Sequence, residues 1–347
     1  MTPRVGNSYA ATLSLPLQEL NHLEMILSFL ADSDDAYTSG EMLSGKLGLS
    51  RSAVWKCIES LRRQGYRIDA APALGYRLVQ IPDRVTPLEI SPLLNTEELA
   101  RTIHFEDTTG STNEVAFEMA NRGALQGTLV LCESQLKGRG RRGRSWASPR
   151  GLNFYGSLIL RPDIPPSRAP ELTLVAAVAL GATLIEAGVS AKIKWPNDLQ
   201  VEGKKIAGIL TEMSSESDRV HFVILGIGVN LNATPEDFPA ELRLITTSVF
   251  QDRGQIVPRA LFIAALMQKL EDAFKRHQLD GFGPTQEAWE KLSVLRDQPV
   301  QVVVGAKPIR GVAQGIDDTG ALWIKTSEGP VRILAGDVEM LRHASDH

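Results

Sequence analysis

The sequence predicts an α+β protein in three parts: an N-terminal winged helix-turn-helix, a central α/β domain and a small all-β domain at the C-terminus. Three observations carry this. Between residues 18 and 80, apolar side chains recur at helical spacing and then give way to two short strand-like runs. Across 93 to 295, apolar strand-like runs are interspersed with helical ones, and a stretch over 81 to 92 reads as a linker. Across 296 to 347, short apolar runs are divided by Gly, Pro and Asp turns. With 347 residues and 43% apolar content, the chain has enough material for two or three cores.

Residues 1 to 17 lack the continuous apolar stretch of a signal peptide and read as a disordered extension. Leu20, Leu23, Ile26, Leu27 and Leu30 mark a first helix. Thr38-Ser39-Gly40-Glu41 reads as a capping box with Thr38 as the cap, opening a helix that carries Met42, Leu43 and Leu47. Ser50 is placed to cap the next helix, which buries Val54, Ile58 and Leu61 and presents Arg51, Ser52 and Lys56. Gly65 ends it. Tyr66 to Ile68 and Tyr76 to Leu78 form the wing. From 39 to 80 the cations Lys46, Arg51, Lys56, Arg62, Arg63, Arg67 and Arg77 face only Glu41, Glu59 and Asp69, in a chain of net charge −4. A basic module on an acidic body points to nucleic acid, with Arg51, Ser52 and Lys56 reaching the DNA.

In the central domain, Ser111-Thr112-Asn113 precedes a helix and offers more short donors and acceptors than one cap requires. Five cations and three glycines then fall within Lys137 to Arg144. Such a run repels itself and resists packing, whereas a phosphate-bearing anion would order it. Gly138 to Gly143 spells a dinucleotide fingerprint, but Arg144 to Gly151 carries no apolar helical stripe, so that reading fails. Lys194-Trp195-Pro196-Asn197-Asp198 is a polar turn around two rigid apolar residues. Gly226-Ile227-Gly228-Val229-Asn230 closes an apolar strand, as a bulge or a close strand crossing would. Leu172 to Ile185 is too short to span a membrane and reads as a buried helix. Two cysteines, Cys57 and Cys132, suit a reducing compartment, and a cytoplasmic protein with no membrane partner is expected.

Five motifs now stand in order: Ser111-Thr112-Asn113, the loop Gly138 to Arg144, Lys194 to Leu199, Lys205-Ile206-Ala207-Gly208-Ile209-Leu210, and Gly226 to Asn230. Together they resemble the biotin protein ligases, and the preceding winged module is similar to that of the bifunctional ligases that also repress biotin operons. The resemblance covers all but the first seventeen or so residues and departs at Leu136-Lys137. It implies a mixed-sheet central domain of the class II synthetase kind and a C-terminal SH3-like barrel. It also implies ATP, Mg²⁺ and biotin as substrates, with biotin acting as corepressor. The implied partners are the biotin carboxyl carrier domain of acetyl-CoA carboxylase, operator DNA, and a second copy of the chain once the adenylate is bound.

By the same resemblance, Ser111, Thr112, Asn113, Gln135, Gly138, Arg139, Gly140, Arg141 and Lys194 hold biotin, and Lys194, Arg139 and Arg141 are catalytic. Arg142, Arg144, Trp146, Asn197 and Asn230 are expected at the nucleotide, and Asp198 at Mg²⁺. A lipoate ligase, a regulator that only senses ligand, and a ligase whose module no longer binds DNA remain open alternatives at this point.

Overall fold

The computed structural model describes residues 17–33, 36–304 and 307–341. The extension expected over 1 to 17 therefore lies outside the described residues, apart from Leu17, which begins the first helix. Helices α1 (Leu17–Ala31), α2 (Gly40–Leu47) and α3 (Arg51–Arg63) precede the hairpin β1 (Arg67–Ala71) and β2 (Gly75–Gln80). Leu23, Ile26, Leu43, Val54, Ile58 and Leu61 close a separate small core. Ser50 caps α3 by accepting the Ala53 N–H.

One capping assignment changes. Ser39, not Thr38, caps α2, its hydroxyl accepting the Met42 N–H at 3.1 Å. Thr38 is extended instead, exchanging backbone bonds with Tyr76 on the wing, and its hydroxyl pairs with Ser33. The bridge to the wing holds Thr38 out of the cap position, and Gly75 makes it possible, since a Cβ there would lie 2.1 Å from the Thr38 carbonyl oxygen.

The connecting segment is packed rather than loose. It forms a one-turn helix, α4 (Pro87–Ile90), in which Thr86 and Glu89 make a capping box. Glu89 also accepts the Tyr66 hydroxyl of the winged module at 2.5 Å, and burial raises the pKa of both groups. Leu88 joins the core of the winged module, whereas Val85 and Ile90 join the central one.

The central domain comprises β3 (Ile103–Thr109), α5 (Thr112–Asn121), β4 (Leu129–Gln135), β5 (Phe154–Leu160), α6 (Ala169–Glu186), β6 (Lys192–Lys194), β7 (Asp198–Val201), β8 (Lys204–Ser215), β9 (Val220–Val229), α7 (Val249–Arg253), α8 (Arg259–Asp280) and α9 (Gly283–Leu292). Its strands make one seven-stranded mixed sheet in the order β3-β4-β5-β9-β8-β7-β6. Only β3 and β4 run parallel. α6 is apolar almost all round because it is mostly buried, packing on α8, α9 and the sheet.

Arg259, 1% exposed at the start of α8, ties the connecting segment to the sheet. Its guanidinium donates to Asp83 at 3.0 Å and to Glu133 on β4 at 2.8 Å. The C-terminal SH3-like domain is the antiparallel sheet β10 (Pro299–Val304), β11 (Lys307–Ile316), β12 (Leu322–Thr326), β13 (Gly329–Ile333) and β14 (Asp337–Met340), ordered β13-β12-β11-β10-β14.

Candidate active site

A cavity of about 480 Å³ opens where the ends of β4, β6 and β9 meet the start of α5. Its floor is built by short side chains. Thr112 donates its N–H to the Gln135 side-chain oxygen at 3.0 Å, and Gln135 donates its amide to Ser148 at 3.0 Å. Asn113 donates to Glu212 at 2.7 Å and to the Leu210 carbonyl at 3.3 Å, and accepts the Ser157 hydroxyl at 2.6 Å. Ser111 occupies the N-cap position of α5, yet its hydroxyl makes no capping bond. Gly226 leaves room for Asn113: a Cβ there would sit 2.0 Å from Asn113 Oδ1.

The cationic loop lies over this floor. Gly138 is buried beneath the loop, where a Cβ would meet the Trp146 carbonyl at 2.4 Å. Arg139 lies 3.4 Å from Glu212 and 3.7 Å from Glu114. Arg141 donates to Asn197 Oδ1 at 3.2 Å and to the Gly336 carbonyl at 3.4 Å. Burial lowers the Arg141 pKa, offset in part by Asp337 and Asp198. Arg142 and Arg144 both bond Asp337, at the start of β14 in the C-terminal domain.

Trp146 stands flat against the glycines of the sheet. A Cβ at Gly228 would lie 2.5 Å from its ring and one at Gly208 would lie 3.1 Å away. Lys205 sits 5.3 Å from the ring centroid and pairs with Asp198 at 2.7 Å. The Trp146 indole N–H is buried without a hydrogen-bond partner among the described residues. Lys194, at the end of β6, faces the same cavity and forms no ion pair with a described residue. The turn after it contains the cis Trp195-Pro196 peptide, with the Trp195 indole donating to the Gly320 carbonyl at 3.0 Å.

The cavity thus gathers Ser111, Thr112, Asn113, Gln135, Arg139, Gly140, Arg141, Arg144, Trp146, Lys194, Asn197, Asp198 and Asn230. Gly138 and Arg142 are not among its lining residues: the first shapes the loop, and the second points to Asp337 and the Val303 carbonyl. Asn230 spends its amide on the Thr247 carbonyl. Arg51, Ser52 and Lys56 are exposed on α3, where Arg51 pairs with Glu41.

Sequence reasoning missed Ser157, Glu212 and Asp337, and gave Lys205, which opens the fourth motif, no role of its own. Gly226 and Gly228 stand in the fifth motif, for which a bulge or strand crossing was the plain structural account; they are the flat ground on which Asn113 and Trp146 rest.

Residues 106–230 match the model of the biotin/lipoate A/B protein ligase family, 297–341 that of the biotin protein ligase C terminal domain, and 22–77 an HTH domain. The chain is 41% identical over 318 residues to the bifunctional ligase/repressor BirA of Bacillus subtilis (strain 168), covering 91% of this chain and 97% of that one. It is 31% identical over 327 residues to the protein of the same name from Escherichia coli (strain K12), covering 92% and 97%. Among solved structures, it is similar to the biotin protein ligase from Aquifex aeolicus in complex with biotin and ATP. That match has a TM-score of 0.61 and 25% identity, and covers 70% of this chain and 99% of that one.

Proposed function

The chain belongs to the biotin protein ligase family, in its bifunctional ligase/repressor form, and from that premise we propose how its residues divide the work. The ligase joins biotin to protein at the expense of ATP. A biotin carboxylate oxygen attacks the α-phosphorus as the bond to pyrophosphate breaks. A lysine amine of the acceptor then attacks the acyl carbon, loses a proton, and AMP leaves.

One observation carries the assignment of roles. Arg139, Arg141, Arg144 and Lys194 converge from two separate segments on a cavity whose floor is the turn Ser111-Thr112-Asn113. Two anions that repel each other must meet there, and fixed cations cancel that repulsion at the reacting atoms. Lys194 stabilises the charge that builds on the acyl and phosphoryl oxygens, with Arg139 and Arg141 closing from the loop side. Ser111 has a hydroxyl to give to biotin. Thr112, bonded to Gln135 and Ser157, and Asn113, bonded to Ser157, fix the shape of the biotin pocket together with Gln135, and Gly138 and Gly140 let the loop backbone approach its carboxylate.

Trp146, resting on Gly228, offers a plane and an indole N–H to the adenine end. Asn197 and Asn230 border the same side, and Arg142 and Arg144 reach the phosphates once they leave Asp337. Mg²⁺ enters with the triphosphate as part of the substrate. Asp198 is a single carboxylate already paired with Lys205, so it supplies at most one ligand to that ion.

The acceptor is a biotin carboxyl carrier domain such as that of acetyl-CoA carboxylase, modified in the cytoplasm. Loaded with adenylate, the chain dimerises and binds a two-fold operator through α3, with biotin as corepressor. Transfer of biotin to a purified carrier domain, with ATP, Mg²⁺ and lipoate as competitor, tests the ligase half. Biotin transfer that lipoate does not inhibit is the expected result, and lipoate transfer would replace the substrate assignment. For the repressor half, operator affinity unchanged by loading would refute the coupling.

A further inference from the structure

The recognition helix carries one large apolar side chain that the fold does not bury. Val54, Cys57, Ile58 and Leu61 of α3 are buried, while Trp55 is 53% exposed. Its indole takes part in no ring contact or hydrogen bond among the described residues. A lone exposed apolar residue needs no special account. The position of this one does, because residues 51, 52, 55 and 56 share one face of a 3.6-residue helix. Trp55 therefore stands among exposed Arg51, Ser52 and Lys56, in the first half of the helix. Among the described residues, Arg51 is held only by Glu41, in a pair so exposed that a phosphate displaces it readily.

We propose that Trp55 reads sequence, packing its indole against the 5-methyl group of a thymine in the major groove while Arg51 and Lys56 fix the helix on the duplex. The inference rests on the DNA-binding reading above. The cations of the module match the phosphates and set the occupant of this face as DNA rather than protein. The N-terminal half of a recognition helix reaches base edges. The thymine methyl is the apolar group displayed there, and phosphate contacts carry no sequence information directly. An indole among cations is suited to the first task and not the second.

The test uses the full chain with biotin, ATP and Mg²⁺. The wild type first selects its preferred site from a pool of random duplexes. Uracil then replaces each thymine of that site in turn, which removes only the methyl. At one thymine per half-site the wild type is expected to lose affinity about five-fold. Trp55→Ala is expected to bind the thymine duplex about five-fold more weakly and to be indifferent to uracil, with Trp55→Phe between. The salt dependence of Trp55→Ala should match wild type, whereas Lys56→Ala should lower the slope by about one. Biotin transfer, unaltered in all variants, reports that the ligase part is intact, and helical circular dichroism with an unshifted thermal transition reports that the winged module is folded.

Trp55→Ala with the same selected site and methyl sensitivity would overturn the proposal, as would a site with no methyl-sensitive thymine. So would a change confined to self-association, which would make the face a protein contact. A wild type that selects no sequence would overturn it together with the repressor half of the function, leaving the ligase half standing on the transfer assay.

Discussion

The floor of the cavity and the loop above it are held by different forces. The floor is a set of buried and part-buried hydrogen bonds among Thr112, Asn113, Gln135 and Ser157, pressed against Gly226 and meeting the loop at Glu212, which Asn113 and Arg139 share. In the loop, the side chains of Arg139, Arg142 and Arg144 rest on Glu212, Glu114 and Asp337, in pairs that water reaches. Buried networks cost a great deal to break, while an exposed pair is worth about 0–1 kcal/mol. On the proposed assignment, biotin is met by a fixed surface, and the phosphates by cations whose present partners are easily exchanged. The same contrast suits the chemistry. Selectivity needs a shape that does not yield, and a reactive anhydride needs a cover that opens and shuts.

Breaking the floor should have the largest effect. Gly226→Ala places a Cβ 2.0 Å from Asn113 Oδ1 and forces the Asn113 amide out of its bonds to Ser157 and Glu212. Biotin affinity measured by calorimetry is expected to fall by about 100-fold or more, since a buried network member left unpaired costs about 1–3 kcal/mol for each group. Near-normal affinity would mean that the floor yields, and the contrast would be lost.

Lys194→Ala comes next and separates chemistry from binding. Lys194 faces the cavity without a protein counter-ion among the described residues, so its removal leaves no carboxylate unpaired. Adenylate formation, followed by pyrophosphate release, is expected to drop about 10²–10³-fold, the usual cost of losing one group that stabilises developing charge. Biotin affinity and thermal stability should change little. A variant that forms adenylate at the normal rate would remove Lys194 from the reaction.

Arg141→Gly tests the loop at its most buried cation. Arg141 bridges Asn197 and the Gly336 carbonyl, so the loop should lose both its anchor and its hold on the acyl phosphate. Adenylate is expected to escape into solution about ten-fold faster in a filter-binding chase, an effect of about 1.4 kcal/mol. Unchanged retention would mean that the backbone of the loop suffices.

How much of this was legible in the sequence follows the range of the interactions. The winged module is built from contacts close in sequence, and its helices, the Ser50 cap and the buried Val54, Ile58 and Leu61 all stand where spacing puts them. Thr38 was misread because its cap signal is local, while the bridge to Tyr76 that overrides it is not. The Thr86 to Glu89 capping box was present in the stretch read as a linker, but nothing local says that Glu89 meets Tyr66.

In the cavity, the cations and the Ser-Thr-Asn turn were visible as surplus charge and surplus donors. Their partners were not. Ser157 is one polar residue in the apolar strand β5, and Asp337 stands nearly two hundred residues from the arginines it holds.

The smallest and most discriminating change is Asp337→Asn. Asp337 draws Arg142 and Arg144 toward the C-terminal domain, and both arginines are well exposed, so its contribution to stability is small. On the proposed assignment, the triphosphate takes those arginines from it. If the loop is held by exchangeable charge, the variant should show a KM for ATP about two- to three-fold lower, with kcat for adenylation unchanged, because a pair worth less than about 1 kcal/mol is no longer displaced. The nucleotide-free loop should also be cut faster by trypsin at its arginines, and raising the salt concentration should speed that cutting in the wild type while leaving biotin affinity unaltered. A floor that responds to salt as the loop does, or a loop that ignores both the substitution and the salt, would show that the two regions are held by the same forces after all.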